Sequence, residues 1–136
     1  MEVVRRIWDI YTLGLEQRDN GALAAPYDRG LVAADSTVSP VSDIPGLKDV
    51  YVGLEEFVAF NRSWMEDWEG LTMRLEEAVD VGDDRVLAIV HQSATGKASG
   101  AAVELDFGIV YTFGGGRVVD RKDYWVDDAR KAAGLP

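Results

Sequence analysis

Between Val103 and Phe113 the chain alternates with a period of two: Val103, Leu105, Phe107, Ile109, Tyr111 and Phe113 share one phase, and Glu104, Asp106, Gly108, Val110 and Thr112 share the other. That is the pattern of a strand with one buried face. Gly114-Gly115-Gly116 follows, and residues 117–126 are rich in β-branched and aromatic side chains, so the segment predicts a long β-hairpin. A three-residue loop sets Phe113 opposite Arg117 and, counting back, Ile109 opposite Arg121, Phe107 opposite Asp123 and Leu105 opposite Trp125. Cross-strand partners share a face. The apolar face therefore receives two charges, Arg121 and Asp123, where burial calls for Val or Ile. A one-residue slip in the turn would send both to the other face, and the alternation alone leaves open a charged pair at the solvated end of a twisted sheet.

Upstream, Val4, Ile7, Trp8, Tyr11 and Leu15 recur at helical spacing, which predicts an amphipathic helix over residues 2–18 stopped by Asp19-Asn20-Gly21. A short second helix begins at Ala22 and ends near Pro26. A strand over 30–41 leads into a loop whose prolines and Gly46 forbid a long regular element. Gly53-Leu54-Glu55-Glu56 opens the longest predicted helix, with Phe57, Phe60, Asn61, Trp64 and Trp68 in steps of three and four and Gly70 closing it. Such an aromatic stripe is more often core than ligand box. Residues 71–81 and 85–95 read as a second hairpin turning at Gly82-Asp83-Asp84, residues 96–102 as a flexible turn, and 127–135 as a helical tail. Helices gathered on one side of successive antiparallel strands make an α+β domain, and a strongly curved sheet beneath three helices leaves a cone-shaped hollow.

Composition narrows what that hollow serves. At 136 residues, with 47% hydrophobic positions and four prolines, the chain is expected to form a single domain over 1–136. No stretch approaches a membrane span and no export signal is visible, so a cytoplasmic protein without a membrane partner is expected. A net charge of −10 repels phosphate backbones, which argues against nucleic acid. Zero cysteines and the single His91 leave no thiolate or histidine-cluster site, so neither metal nor cofactor is expected.

QRDNGAL after the first helix, PGLKDVYVGLEEF before the long one, GDDRVLAIV, the KASG turn and VYTFGGGRVVDRKDYW give an order and spacing that resembles the nuclear transport factor 2-like superfamily, and within it the SnoaL-like proteins. The resemblance covers nearly the whole chain. It implies a cone-shaped α+β barrel of the cystatin-like type, a curved antiparallel sheet wrapped on three helices. It also implies a homodimer paired through the open face of the sheet, which here carries Val110 and Thr112.

Ketosteroid isomerase relatives keep a tyrosine donor on the first helix, and Tyr11 falls there. Their two acids have no match: none stands near Ser39 and Pro40, and Ile109 occupies the second position. Limonene epoxide hydrolases carry a run on the last strand that Arg121-Lys122-Asp123-Tyr124-Trp125 resembles, with Asp123 matching the working aspartate. Their middle-strand Arg and Asp fall on Val90 and Gln92. The resemblance thus implies Asp123 and Tyr11 as catalytic groups and Trp8, Asn61, Trp64, Gln92, Phe107, Ile109, Tyr111, Arg121 and Trp125 as contacts to a hydrophobic small molecule, with His91 turned away and structural. The chain is expected to be an isomerase, hydrolase or cyclase with Asp123 in acid–base work, or else a non-catalytic binding protein for a hydrophobic metabolite, or a dimerisation module. Geometry decides the role of Asp123: with Arg121 pointing to the mouth it is an acid able to orient water or protonate an oxygen, and paired with Arg121 it is mainly structural.

Overall fold

The structure, a computed structural model, describes residues 1–42 and 44–135, with only the backbone of Asn20. The elements run α1 (Glu2–Gln17), a 3-10 turn (Asn20–Leu23), α2 (Ala25–Asp28), β1 (Val32–Ser39), β2 (Tyr51–Val52), α3 (Gly53–Met65), β3 (Trp68–Gly82), β4 (Arg85–Gly96), β5 (Ala102–Gly114), β6 (Arg117–Trp125) and α4 (Val126–Ala132). The strands form one six-stranded sheet in the order β2-β1-β6-β5-β4-β3. Its pairings are antiparallel except β1 with β6, which is parallel because the chain crosses over between them. The sheet is therefore mixed and unclosed, where the sequence predicted an antiparallel one.

Three boundaries differ from the sequence reading. α1, not α3, is the longer helix, at 16 residues against 13. α3 ends at Met65, and Trp68 and Gly70 belong to β3. A tryptophan is at home in a strand, and the stripe's spacing could not reveal where the helix stopped. Pro26 sits at the start of α2 rather than its end, a position where the missing N–H costs nothing.

The C-terminal hairpin forms, with a register unlike the one predicted. The loop holds two residues, Gly115 and Gly116, both at positive φ, with Gly114 opposite Arg117 and Phe113 opposite Val118. A β-bulge then inserts Val119, after which Tyr111 faces Arg121, Ile109 faces Asp123 and Phe107 faces Trp125. The shorter loop moves the pairing by one residue and the bulge by one more. Together they preserve the phase, so Arg121 and Asp123 keep the inner face.

Two cores result. On the inner face α1 and α3 cover Val86, Ala88, Val90, Ile109, Tyr111 and Val118. On the outer face Leu87, Ile89 and Val110 pack under Ala129 and Ala133 of the C-terminal segment. Helix α4 therefore lies on the opposite side from α1 and α3, which corrects the picture of helices on one side only. The close approach depends on Gly108, where a Cβ would stand 2.1 Å from the Ala129 Cβ. Val110, expected on an open face awaiting a partner, is only 5% exposed beneath α4. No helix among the described residues is long and apolar enough to cross a membrane.

Candidate ligand pocket

Inside the curved sheet lies a cavity of about 630 Å³. α1 contributes Trp8, Tyr11 and Leu15; α3 contributes Phe57, Phe60, Asn61, Trp64 and Met65; β3 contributes Trp68 and Met73. Val90, Phe107 and Ile109 form the sheet wall, and Pro40, Val41, Ile44 and Leu47 close one side. Exposed Arg18, Asp19, Glu69 and Lys97 also belong to its lining. Arg121 and Asp123 complete it from β6.

These two charges form a bidentate pair. Arg121 Nε donates to Asp123 Oδ1 at 2.8 Å and Nη2 donates to Oδ2 at 3.1 Å, with the side chains only 12% and 9% exposed. Successive same-face positions on a strand bring them together, and the guanidinium fork matches the carboxylate. The guanidinium carbon lies 5.9 Å from the centre of the Trp8 ring and 5.8 Å from that of Phe57, within cation–π range. Burial is the largest influence and works against the charge of Arg121, but the Asp123 carboxylate, with Tyr111 and Tyr11 adding to it, holds the guanidinium pKa above its ordinary value. The paired branch of the sequence expectation is the one realised, and Asp123 lies across from Ile109 rather than Phe107.

Three phenols belong to the same electrostatic neighbourhood. Burial raises Tyr11 well above the usual tyrosine range, with Tyr111 adding to the rise and Arg121 opposing it. Tyr27 is pushed up to about 12 by burial, against the pull of Arg121. Tyr111 is raised, again chiefly by burial, and its hydroxyl accepts a hydrogen bond from Trp8 Nε1 at 3.0 Å. All three are neutral hydroxyls at physiological pH.

Of the residues singled out in the sequence, Trp8, Tyr11, Asn61, Trp64, Phe107, Ile109, Arg121 and Asp123 line the cavity together. Gln92, Tyr111 and Trp125 are not part of its lining and touch residues that are. Gln92 is fully buried and accepts from Trp64 Nε1 at 2.8 Å, while its Nε2 has no partner among the described residues. Trp125 stacks on Phe107 with ring centres 5.3 Å apart. Asn61 turns its amide back to the Phe57 carbonyl at 2.8 Å. Phe57 and Phe60, which the stripe's spacing assigns to the core, belong to the core and face the cavity as well. Tyr27, which carries no periodic signal, is not part of the lining and packs on Phe57 with ring centres 5.8 Å apart.

On the outer face His91 Nδ1 lies 2.7 Å from Asp106 and Nε2 lies 3.2 Å from Glu104. Glu76, His91 and Asp106 bring ligand-type atoms within 4.8 Å of one another. The hydrogen bond to Asp106, followed by that to Glu104, raises the His91 pKa, which works against the neutral ring a metal requires.

The sequence pattern of the SnoaL-like domain matches residues 7–121. The chain belongs to the SnoaL-like domain family. Its fold is that of solved NTF2-like and ketosteroid isomerase-like proteins. One is an NTF2-like protein of unknown function from Burkholderia pseudomallei K96243, 21% identical, with a TM-score of 0.73 over 99% of this chain and 95% of that one. Another is TerC co-crystallized with polyporic acid, 17% identical, with a TM-score of 0.72 over 97% of this chain and 95% of that one. A third is a hypothetical protein of ketosteroid isomerase-like fold from Catenulispora acidiphila DSM 44928 in complex with trimethylamine, 16% identical, with a TM-score of 0.67 over 96% and 93%. No functionally curated protein matches the chain. The family match of this SnoaL-like domain ends at Arg121, so Asp123 and Trp125 lie beyond it.

Proposed function

We propose that this SnoaL-like domain binds a hydrophobic, ring-bearing small molecule in the cavity, with the Arg121–Asp123 pair as its polar anchor. The observation that carries this reading is a paired cation and carboxylate set among the aromatic and aliphatic side chains that make most of the wall of a cavity of about 630 Å³. That volume lies within the range of small-molecule sites, and a few polar groups among aromatic walls is how such sites orient their ligands. Two proteins of the same fold hold small molecules, polyporic acid in one and trimethylamine in the other.

Binding is favoured over acid–base catalysis by the state of Asp123. Both of its oxygens are engaged by Arg121, so to protonate a ligand it would first have to leave the pair. An isomerase, hydrolase or cyclase is the second reading. It is supported by the presence of the Asp123 carboxylate and the neutral Tyr11 hydroxyl in one lining. Native mass spectrometry of freshly purified protein, followed by calorimetric titration with naphthyl and biphenyl compounds, tests the binding reading. A co-purified hydrophobic molecule or saturable binding is expected, and Trp64→Ala should weaken it about ten-fold, as loss of an aromatic contact does. No retained molecule and no binding of any aryl compound would remove the proposal. Turnover of an identified ligand, lost in Asp123→Asn, would move the conclusion to the second reading.

A further inference from the structure

We infer that the pocket selects by charge: it takes neutral, oxygen-bearing ring compounds such as ketones, lactones or phenols and rejects carboxylates and other anions, because Asp123 masks Arg121. The inference rests on the binding reading above and names its ligand class.

A lone arginine in an aromatic cavity would be an anion receptor, since its fork matches carboxylate and phosphate. Here one edge of that fork is taken. Nε and Nη2 both donate to Asp123, at 2.8 and 3.1 Å, so the guanidinium charge is already matched by a carboxylate, and an incoming anion would meet a second negative group beside it. The remaining surroundings offer an anion little. Trp8 and Phe57 present rings within 6 Å of the guanidinium, and an aromatic face attracts cations and repels anions. Tyr11 contributes a hydroxyl kept neutral by burial rather than a cation. The exposed charged residues of the lining cancel, two basic (Arg18, Lys97) and two acidic (Asp19, Glu69). The chain as a whole carries −10, a field that opposes an approaching anion.

An anionic ligand would therefore enter with its charge uncompensated, or would have to displace Asp123 and leave that carboxylate stranded. Either route carries the cost of an unpaired charge away from water. A neutral oxygen avoids both. A guanidinium carries five N–H groups, and the pair with Asp123 uses two, so a carbonyl or hydroxyl oxygen can accept from another without disturbing it. The Tyr11 hydroxyl supplies a second donor, itself neutral, in the same lining.

The test is isothermal titration calorimetry of the full chain at neutral pH with three probes that share one ring system: naphthyl methyl ketone, naphthoate and naphthylmethylammonium. The ketone is expected to bind about ten-fold or more tightly than naphthoate, the discrimination that an uncompensated buried charge imposes, and the ammonium serves as the control of opposite charge. Asp123→Asn, with folding checked by circular dichroism, unmasks Arg121 and is expected to shift the ratio of naphthoate to ketone affinity about ten-fold toward naphthoate, and an unchanged ratio overturns the masking. Naphthoate binding as tightly as the ketone in the natural protein overturns the charge selection and leaves the binding reading standing. Failure of all three probes overturns both. Should Asp123→Asn not fold, the three-probe comparison on the natural protein decides alone.

Discussion

The two faces of the central strands hold their charged groups in opposite ways. On the inner face Arg121 and Asp123 close a bidentate pair with 12% and 9% of their side chains exposed. On the outer face His91, 18% exposed, meets Asp106, Glu104 and Glu76, which are 55%, 71% and 41% exposed. The outer cluster gathers more partners, yet water screens each of them, and exposed pairs of this kind are worth little. The inner pair is far less screened, and Arg121 also lies over the Trp8 and Phe57 rings. Breaking it leaves a sheltered charge, whereas replacing both members by apolar side chains would cost a fold little or nothing. Packing alone gives no reason for two charges on that face, and the ligand recognition proposed above would.

The largest effect should come from breaking the inner pair. Arg121→Leu is expected to lower the unfolding free energy by about 3–5 kcal/mol, and Arg121→Leu with Asp123→Leu to recover most of it. Urea unfolding reads both. A loss below about 1 kcal/mol in the single variant would put the pair in the class of surface bridges and erase the contrast between the faces.

A smaller effect should come from the apolar part of the outer face. Gly108→Val places a side chain where Ala129 stands, since even a Cβ would lie 2.1 Å from the Ala129 Cβ, so α4 must move away. About 1–3 kcal/mol of stability should be lost. The affinity for naphthyl methyl ketone should stay unchanged, because Gly108 faces away from the cavity. Thermal melts and calorimetry separate the two readouts, and equal damage to both would mean that the faces are not independent.

The smallest effect belongs to His91. Its pKa is raised from 6.5, first by the hydrogen bond to Asp106. Its contribution to stability is therefore complete below about 6.5 and disappears as pH rises through the higher folded-state value. Glu104 has the opposite sign: its pKa is lowered from 4.5, first by the His91 hydrogen bond, so its share is present above 4.5 and disappears as pH falls through the lower value. The cluster is strongest between those limits. As the sole histidine, His91 gives one unambiguous proton NMR titration, and a midpoint at or below 6.5 would contradict the geometry.

Much of this could be read before any coordinates. Alternation from Val103 to Phe113 gave the strand, the glycines gave the turn, and the stripe Val4, Ile7, Trp8, Tyr11 gave the helix face now buried in the inner core. Each is a local pattern set by backbone periodicity. The cavity's membership was partly legible: eight of the residues singled out line it, while Gln92, Tyr111 and Trp125 proved to support residues that do. A period tells which face a side chain takes but not how far a neighbour such as Trp64 or Phe107 reaches across it.

By itself the sequence determined the order of elements, the hairpin, and the presence of two charges on a strand that should have been apolar. Tertiary structure decided where those charges went. With the two-residue loop alone, Arg121 and Asp123 would have turned to the outer face, and the bulge at Val119 brings them back. Tertiary structure also laid α4 over Val110, so that this part of the sheet is covered from within the chain. Both outcomes have one cause: side-chain phase is fixed locally, but register and cover are fixed by which distant surfaces fit, as Gly108 fits Ala129.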